Sequence, residues 1–278
     1  MAAELGLKKK ALLRYLWLFP LIAGTSWGLT LSILLIYWLA QGRPRYPDQW
    51  NPYVAYISNI AAFELKPVFI TGCTITAVSF ALTVVAVHYA RYSSHLYGLV
   101  EDAKWKKSTS VFAMLCGLWA SLSLLLLTIY DTYHAADRHR ILLLSCFAGL
   151  GITLITTGVV WFDQTWGPSR LEGLRKWLLL PLFLASVLRF LKDTETDKSR
   201  IRCIASNVLV VVIVALATSF TVLLYNSWWK TARILEWVLT YMGAFWLLTF
   251  IGYLKDVNIG TDEDDLERRP LLVSDDGE

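Results

Sequence analysis

Six long apolar stretches most constrain how this chain folds, because each is long enough to cross a lipid bilayer. A membrane-spanning helix needs about 20 predominantly apolar residues to cross about 30 Å of hydrocarbon. None of the six has a Lys, Arg, Asp or Glu in its central turns. We therefore predict an all-α, polytopic membrane protein built as a six-helix bundle. The predicted spans run approximately over 15–39, 67–90, 110–130, 141–162, 203–225 and 234–254.

The composition argues against a soluble enzyme and against a disordered chain. Only 17% of the 278 residues are charged and 56% are hydrophobic, whereas an average soluble domain carries about 25% charged residues. Disorder requires low hydrophobicity and high net charge. The net charge of +4 follows from basic loops, so nucleic-acid binding has no support. The chain has no glycine-rich phosphate loop and no cysteine pair at zinc spacing, so we expect no cofactor and no metal site.

The distribution of Lys and Arg predicts the orientation of the bundle. A seventh apolar stretch, 177–191, is only about 15 residues long and contains Pro181 and Arg189, which suits an interfacial segment better than a span. Six spans with a cytoplasmic N-terminus place 19 of the 26 basic residues on the inner side, whereas seven spans divide them 13 to 13. Cytoplasmic loops are enriched in basic residues. We therefore predict a six-span domain over 1–256 with both termini cytoplasmic, and a disordered acidic tail over 257–278.

The loop between the fourth and fifth predicted spans carries a basic cluster on the predicted cytoplasmic side. Basic residues next to a membrane attract anionic lipids by about 1 kcal/mol each. Two interpretations stay open, namely ordinary enrichment of inner loops in positive charge, and specific contact with anionic phosphoinositides or with a lipid-kinase complex. The candidate contact residues are Arg175, Lys176, Lys192, Lys198 and Arg200.

The acidic tail contains a candidate sorting signal. Glu267 is followed, after three residues, by Leu271 and Leu272, which matches the acidic dileucine pattern that clathrin adaptors bind. An exposed cytoplasmic tail is the context in which such a signal works. The pattern predicts delivery to endosomes, vacuole or lysosome, and the alternative is a linker in which these leucines have no function.

Polar residues at the predicted outer ends of the helices form a candidate site. A Ser, His and Asp set near one surface could hydrolyse a lipid ester or amide, and His with Asp could hold zinc. The spacing favours a different interpretation, because His134 and His139 are five residues apart and do not share a helix face. We therefore predict no catalytic residue and a polar network that ties the outer loops to the helix ends. Its members are Ser58, Asn59, Asp131, His134, Asp137, His139 and Glu236.

Tryptophan and glycine positions give further expectations about packing. Tryptophan rings prefer headgroup depth, so Trp38 is expected at the outer interface and Trp161 at the inner one. Glycines in membrane helices let neighbouring backbones approach closely, and we expect this of Gly149, Gly151 and Gly158.

Several short motifs, taken in order, resemble the Frag/DRAM/Sfk family of membrane proteins. Residues 52–61 read Pro-Tyr-Val-Ala-Tyr-Ile-Ser-Asn-Ile-Ala and residues 66–70 read Lys-Pro-Val-Phe-Ile, which is similar to the first-loop signature of that family. Ala90-Arg91-Tyr92, Tyr130-Asp131-Thr132 with His139, and Leu235-Glu236-Trp237 match at later span ends. The family has Asp where this chain has Asn59, which weakens any role that needs a carboxylate there. The residues that carry the resemblance on the outer face are Tyr56, Ile57, Ser58, Asn59, Pro67, Phe69, Asp131, His139, Glu236 and Trp237.

The resemblance implies a six-span protein with cytoplasmic termini that acts in membrane lipid homeostasis. The first loop favours the suppressor-of-four-kinase branch of the family, which is linked to phosphatidylinositol 4-kinase and to phospholipid distribution between leaflets. We accordingly expect a non-enzymatic organiser or adaptor in phospholipid or phosphoinositide homeostasis. The alternatives are an autophagy modulator of the vacuole or lysosome, and an enzyme that remodels lipids or GPI anchors. The expected partners are membrane lipids, a lipid-kinase complex and clathrin adaptors, at the plasma membrane or at the vacuole or lysosome.

Overall fold

The computed structural model describes residues 15–47, 54–92, 102–161 and 198–255. All regular secondary structure within these ranges is helical. Six long helices and one short helix follow one another along the chain. They are α1 (Leu18–Ala40), α2 (Ile57–Ala61), α3 (Lys66–Tyr92), α4 (Lys104–Ile129), α5 (Ala136–Val160), α6 (Lys198–Tyr225) and α7 (Trp229–Lys255).

The long helices form a ring in which sequence neighbours pack side by side. α1 packs on α3, α3 on α4, α4 on α5, and α6 on α7, and α7 closes the ring on α1. Of the neighbouring pairs, α5 and α6 touch least. Five helices, α1, α3, α4, α5 and α7, are long and apolar enough to cross a membrane. In α6 the described apolar part is the shorter stretch Val208–Leu223, so the count of six spans and the position of the termini stay predictions.

The outward faces of these helices are apolar, as expected for contact with lipid rather than water. Leu29, Ile36, Phe112 and Leu115 each expose about half or more of their surface. A soluble bundle would place charged residues on such faces. The length, the apolarity and these exposed faces identify a multi-pass integral membrane protein.

Close backbone approaches at glycines hold neighbouring helices together. A Cβ at Gly149 would lie 3.0 Å from the Cys116 carbonyl oxygen of α4, so the expectation of tight packing is confirmed there. It is wrong for Gly151, where an added Cβ would meet nothing within 4 Å. Residues two positions apart in a helix point in directions about 200° apart. Gly151 therefore faces away from α4, and it borders a central cavity.

Several helices extend beyond the predicted apolar stretches. α4 begins at Lys104 and α5 at Ala136, several residues before the predicted span starts, because helical structure continues through polar residues that hydropathy does not count. The predicted interfacial segment 177–191 and the tail 257–278 lie outside the described residues.

The two ends of the bundle differ in structure and are named here by their loops. The loop-1 end comprises residues 41–47 and 54–65, the connection 130–135 and the turn 226–228. The loop-2 end comprises residues 91–92 and 102–107 with residue 161. Two tryptophans expected at headgroup depth lie at these ends, and both are buried. Trp38 donates from Nε1 to the Pro44 carbonyl at 3.2 Å, and Trp161 packs against the guanidinium of Arg91.

Candidate functional site at the loop-1 end

The first loop is fastened to α7 through its backbone. Arg233, Glu236 and Trp237 share one face of α7, since they are three and four residues apart. Arg233 donates from Nη1 to the Val54 carbonyl at 3.2 Å, and Trp237 donates from Nε1 to the Ala55 carbonyl at 3.0 Å.

Glu236, the acidic residue on this face of α7, accepts a hydrogen bond from the first residue of the short helix α2. Glu236 Oε2 accepts a hydrogen bond from the backbone N–H of Ile57 at 3.2 Å, and both residues are buried. The first N–H groups of a helix have no partner within that helix, so this carboxylate satisfies one of them. The three contacts together fix the path of residues 54–57 across the bundle.

Tyr56 lies beneath one of these α7 side chains. The Arg233 guanidinium lies 4.6 Å from the centre of the Tyr56 ring, within the range of a cation–π contact. Burial raises the pKa of Tyr56, and the nearby positive charge of Arg233 opposes that shift only in part. Tyr56 is therefore neutral at physiological pH and serves as an aromatic surface for the cation.

Asp131 is the second anchor, in the connection between α4 and α5. Its Oδ2 lies 2.8 Å from Nζ of Lys66, the first residue of α3. Its Oδ1 accepts from the backbone N–H groups of Tyr133 at 2.9 Å and His134 at 2.8 Å. Burial on its own would raise the pKa of Asp131, but the hydrogen bonds from Lys66, His134 and Tyr133 outweigh it and hold the pKa well below its ordinary value.

His139 is buried in the first turn of α5. Its Nδ1 lies 2.8 Å from the Tyr130 carbonyl oxygen. A ring nitrogen that faces a carbonyl must carry a proton, so in the neutral ring Nδ1 is the donor and Nε2 has the lone pair. No described group bonds Nε2.

The remaining predicted residues occupy different environments at this end. Asn59 is buried within α2, so a neutral amide stands where the family has a carboxylate. Ser58 borders the central cavity. Pro67 is exposed in the first turn of α3, where a missing N–H carries no penalty, and Phe69 packs in the core beneath the loop.

The polar residues therefore form two separate groups rather than one site. Ser58, His139 and Glu236 border the same cavity, whereas Asp131 is engaged by Lys66 and His134. Within 15–47, 54–92, 102–161 and 198–255, no three His, Cys, Asp or Glu residues are placed to hold a metal.

Sequence reasoning missed two cations that organise this end. Lys66 pairs with Asp131, and Arg233 contacts both Val54 and Tyr56. A signal for Arg233 was present in the sequence, because Arg233-x-x-Glu236-Trp237 places three hydrogen-bonding side chains on one helix face. No comparable local pattern connects Lys66 with Asp131.

An ion pair organises the loop-2 end. Arg91 is fully buried, and its Nη2 and Nε lie 2.7 and 3.2 Å from Asp102 Oδ2. The same guanidinium lies 5.2 Å from the centre of the Trp161 ring. This residue belongs to the Arg-Tyr motif at the close of α3, and it joins α3 to the start of α4 and to the end of α5.

The candidate inner contact residues and the sorting signal are only partly within the described chain. Lys198 and Arg200 lie in the first turn of α6. Arg175, Lys176, Lys192, Glu267, Leu271 and Leu272 lie outside the described residues, so their roles stay predictions.

Comparison with known proteins tests the resemblance of the motifs. No curated protein and no solved structure matches the chain significantly. A family model described as Frag1/DRAM/Sfk1/Cwh43P N-terminal domain matches residues 15–257. That match takes in the seven described helices and every motif on which the resemblance rested, and it covers most of the chain. The chain therefore belongs to the Frag1/DRAM/Sfk1/Cwh43P N-terminal domain family.

Proposed function

We propose that this protein is a non-enzymatic membrane organiser in phospholipid or phosphoinositide homeostasis, which contacts anionic lipid at its loop-2 end. The observation that carries the proposal is the start of α4, where Lys104, Trp105 and Lys107 are exposed side by side. An amphipathic tryptophan favours headgroup depth, and lysines there attract anionic lipids. The predicted orientation turns this end toward the cytoplasm, where anionic lipids are concentrated.

The buried ion pair supports this surface by fixing its position. Asp102 binds Arg91 and also lies 3.5 Å from Nζ of Lys106. Lys107 Nζ lies 5.9 Å from the centre of the Tyr92 ring. These contacts to Arg91 and Tyr92 of α3 fix the position of the start of α4 and of its basic side chains. Lys198 and Arg200, which the sequence predicted as contact residues, lie in the first turn of α6 at the same end of the bundle.

Charge reversal tests the proposal. We expect Lys104→Glu/Lys107→Glu to lower phosphatidylinositol 4-phosphate at the membrane that holds the protein, or to displace the phosphatidylinositol 4-kinase, as measured with a fluorescent lipid sensor and a tagged kinase. The matched control is Arg138→Glu/Arg140→Glu, which makes the same charge change at the opposite end of the bundle. Unchanged lipid and kinase signals in the Lys104/Lys107 variant, with normal protein abundance, would reject the proposal.

A second candidate function is favoured by one observation, namely that Ser58, His139 and Glu236 border one cavity. An enzyme that acts on a lipid ester or amide would use the Nε2 lone pair of His139 as a general base. The engagement of Glu236 by Ile57 weighs against a relay between these groups. Purified protein should then turn over a GPI-anchor or sphingolipid substrate, and His139→Ala should abolish turnover. Activity retained in that variant would reject this assignment.

A further inference from the structure

The centre of the helix ring contains a cavity of about 160 Å³. An engineered apolar cavity of about 150 Å³ in a protein core admits benzene, so this volume accommodates a hydrocarbon group. The lining is almost entirely apolar and comes from all six long helices and from α2. The cavity therefore suits part of a lipid better than a water-soluble ligand.

Two buried polar atoms on the cavity wall have no hydrogen-bond partner among the described residues. They are Nε2 of His139 and Oγ1 of Thr76, in side chains that are 7% and 4% exposed. Native proteins rarely leave buried polar atoms unsatisfied, so each needs an explanation. A ligand whose polar head donates a hydrogen bond supplies one for His139 Nε2.

The local structure explains why each of these atoms is available. The Nδ1 proton of His139 is committed to the Tyr130 carbonyl, which leaves Nε2 as an acceptor. A helical threonine in a membrane span commonly donates to the carbonyl four residues earlier, as Thr83 does to Ser79 at 2.8 Å. The equivalent carbonyl for Thr76 is that of Gly72, which accepts instead from Ser26 Oγ at 3.1 Å.

The depths of His139 and Thr76 in the bundle indicate how a ligand would be oriented in the cavity. His139 lies three residues into α5, or about 5 Å along the helix axis from its start, whereas Leu154 on the same wall lies about 27 Å from it. Thr76 lies about 15 Å from the start of α3, between those depths. A ligand with its polar head at His139 would thus extend a hydrocarbon body inward past Thr76.

The apolar lining and its few polar atoms select the kind of head group. Glu236 is buried and borders the cavity beside α2, and no described lining residue is Lys or Arg. A carboxylate, phosphate or ammonium head would lose its hydration against this almost entirely apolar lining, and Glu236 is already engaged by the Ile57 N–H. A hydroxyl head suits this lining, because it donates a hydrogen bond to His139 Nε2 and carries no charge.

Among the described residues, the α5–α6 seam is the least closely packed side of the ring, and we take it as the route for a lipid from the bilayer. These two neighbours touch least in the ring, and Phe147 and Phe220 meet across the seam with ring centres 6.5 Å apart. Phe147 also borders the cavity. A membrane lipid could thus enter sideways between α5 and α6 without leaving the hydrocarbon region.

We propose that the central cavity binds a neutral membrane lipid through its hydrocarbon body, with a hydroxyl head that donates a hydrogen bond to His139 Nε2. This site is independent of the basic surface at the loop-2 end, so either proposal can fail without the other. Sterols, diacylglycerols and ceramides share the required chemistry, and competition distinguishes these sources.

The test uses the purified full-length chain in lipid nanodiscs and a hexadecan-1-ol probe with a photoreactive diazirine at mid-chain. We expect saturable labelling that maps to α3, α5 or α7 and that unlabelled hexadecan-1-ol displaces. The matched hexadecanoic acid and hexadecylamine probes should label at least tenfold less. A competition series with cholesterol, diacylglycerol and ceramide then identifies the source, and the lipid that displaces the probe at the lowest concentration is the assigned class. If none of the three displaces the probe, the proposal is overturned.

Two variants are used, so that the result does not depend on whether a His139 variant folds. His139→Phe removes the acceptor, and we expect at least tenfold weaker labelling. Gly243→Leu fills the cavity, where an added Cβ would meet nothing within 4 Å, and it should reduce labelling as strongly while leaving the thermal midpoint close to that of the wild type. Wild-type labelling in folded Gly243→Leu, or equal labelling by the acid or amine probe, would overturn the proposal.

Discussion

The carboxylate of Glu236 accepts a hydrogen bond from the backbone N–H of Ile57, which lies 179 residues earlier in the chain. This contact joins the last described helix to the first loop, and both groups are buried. Since a buried N–H without a partner costs free energy, the position of residues 54–57 depends on a side chain of α7.

Replacing Glu236 should therefore destabilise the bundle. Glu236→Ala leaves the Ile57 N–H without its acceptor, and we expect a loss of about 1–3 kcal/mol in the free energy of unfolding. Glu236→Gln keeps an acceptor oxygen and should recover much of that loss. Thermal midpoints in detergent measure both variants. Equal midpoints for Glu236→Ala and the wild type would contradict the role of this hydrogen bond.

Asp131 should make the stability of the protein depend on acid pH. Hydrogen bonds hold its pKa in the folded protein below the ordinary value, which is about 3.9 in an unfolded chain. Its contribution is therefore complete above about pH 4 and is lost as the pH falls below that value toward the folded-state pKa. Thermal midpoints measured from pH 6 to pH 3 should fall less steeply in Asp131→Asn than in the wild type.

The control for this measurement is Asp137→Asn. The Asp137 side chain is 94% exposed and lies 3.9 Å from Arg140. Asp137→Asn should therefore leave the dependence of the thermal midpoint on acid pH as it is in the wild type. An equal slope in Asp131→Asn and the wild type would show that Asp131 does not supply the acid sensitivity.

Two glycines of α5 should respond oppositely to the same substitution. Gly149→Ala places a Cβ 3.0 Å from the Cys116 carbonyl oxygen and from Ala120 Cβ, and overpacking of this kind costs about 1–3 kcal/mol. Gly151→Ala meets nothing within 4 Å and should be neutral or stabilising. Thermal midpoints of the two variants, measured side by side, give the comparison, and similar losses in both would rule out helix contact as the cause.

The Arg91–Asp102 pair should behave as a coupled unit. Asp102→Asn removes the carboxylate that Nη2 and Nε of the fully buried Arg91 contact, and breaking a buried pair in this way costs about 3–5 kcal/mol. Arg91→Met/Asp102→Asn removes both charges and should cost less than Asp102→Asn alone. A double-mutant cycle on the free energy of unfolding measures the coupling, and strictly additive losses would contradict it.

The predicted sorting signal can be tested by microscopy of an N-terminally tagged chain. If clathrin adaptors bind the tail, Leu271→Ala/Leu272→Ala should move the protein from vacuole or lysosome to the cell surface. Leu266→Ala, which lies one residue before Glu267, is the matched control and should not redistribute. Identical distributions of all three chains would leave the dileucine without a sorting role.

The sequence predicted the class of fold because hydropathy and charge act over whole helices. It could not predict which face of a helix turns inward, since that depends on the neighbouring helices. Trp38 and Trp161 lie at helix ends, as aromatic belts require, yet both face the core. Gly149 and Gly151 differ for the same reason, although only one residue separates them.

The candidate site was predictable as a set of polar residues but not as a set of contacts. Glu236 and Asp131 are visible in the sequence because they belong to the motifs Leu235-Glu236-Trp237 and Tyr130-Asp131-Thr132 at span ends. Their partners, the Ile57 amide and the Lys66 ammonium, are distant in sequence and are brought close only by the closure of the ring. The cavity could not be predicted either, because it is the space between seven helices whose packing the sequence does not specify locally.

The attachment of the first loop to α7 has a consequence for biosynthesis. A membrane protein is inserted from its N-terminus onward, so α1 and the first loop emerge long before α7 is made. Until then the amide of Ile57 and the carbonyls of Val54 and Ala55 lack the side chains that bind them in the finished protein. A ribosome that stops before residue 233 therefore releases a chain whose first loop cannot make these contacts, and insertion of α7 is the step that fixes the loop.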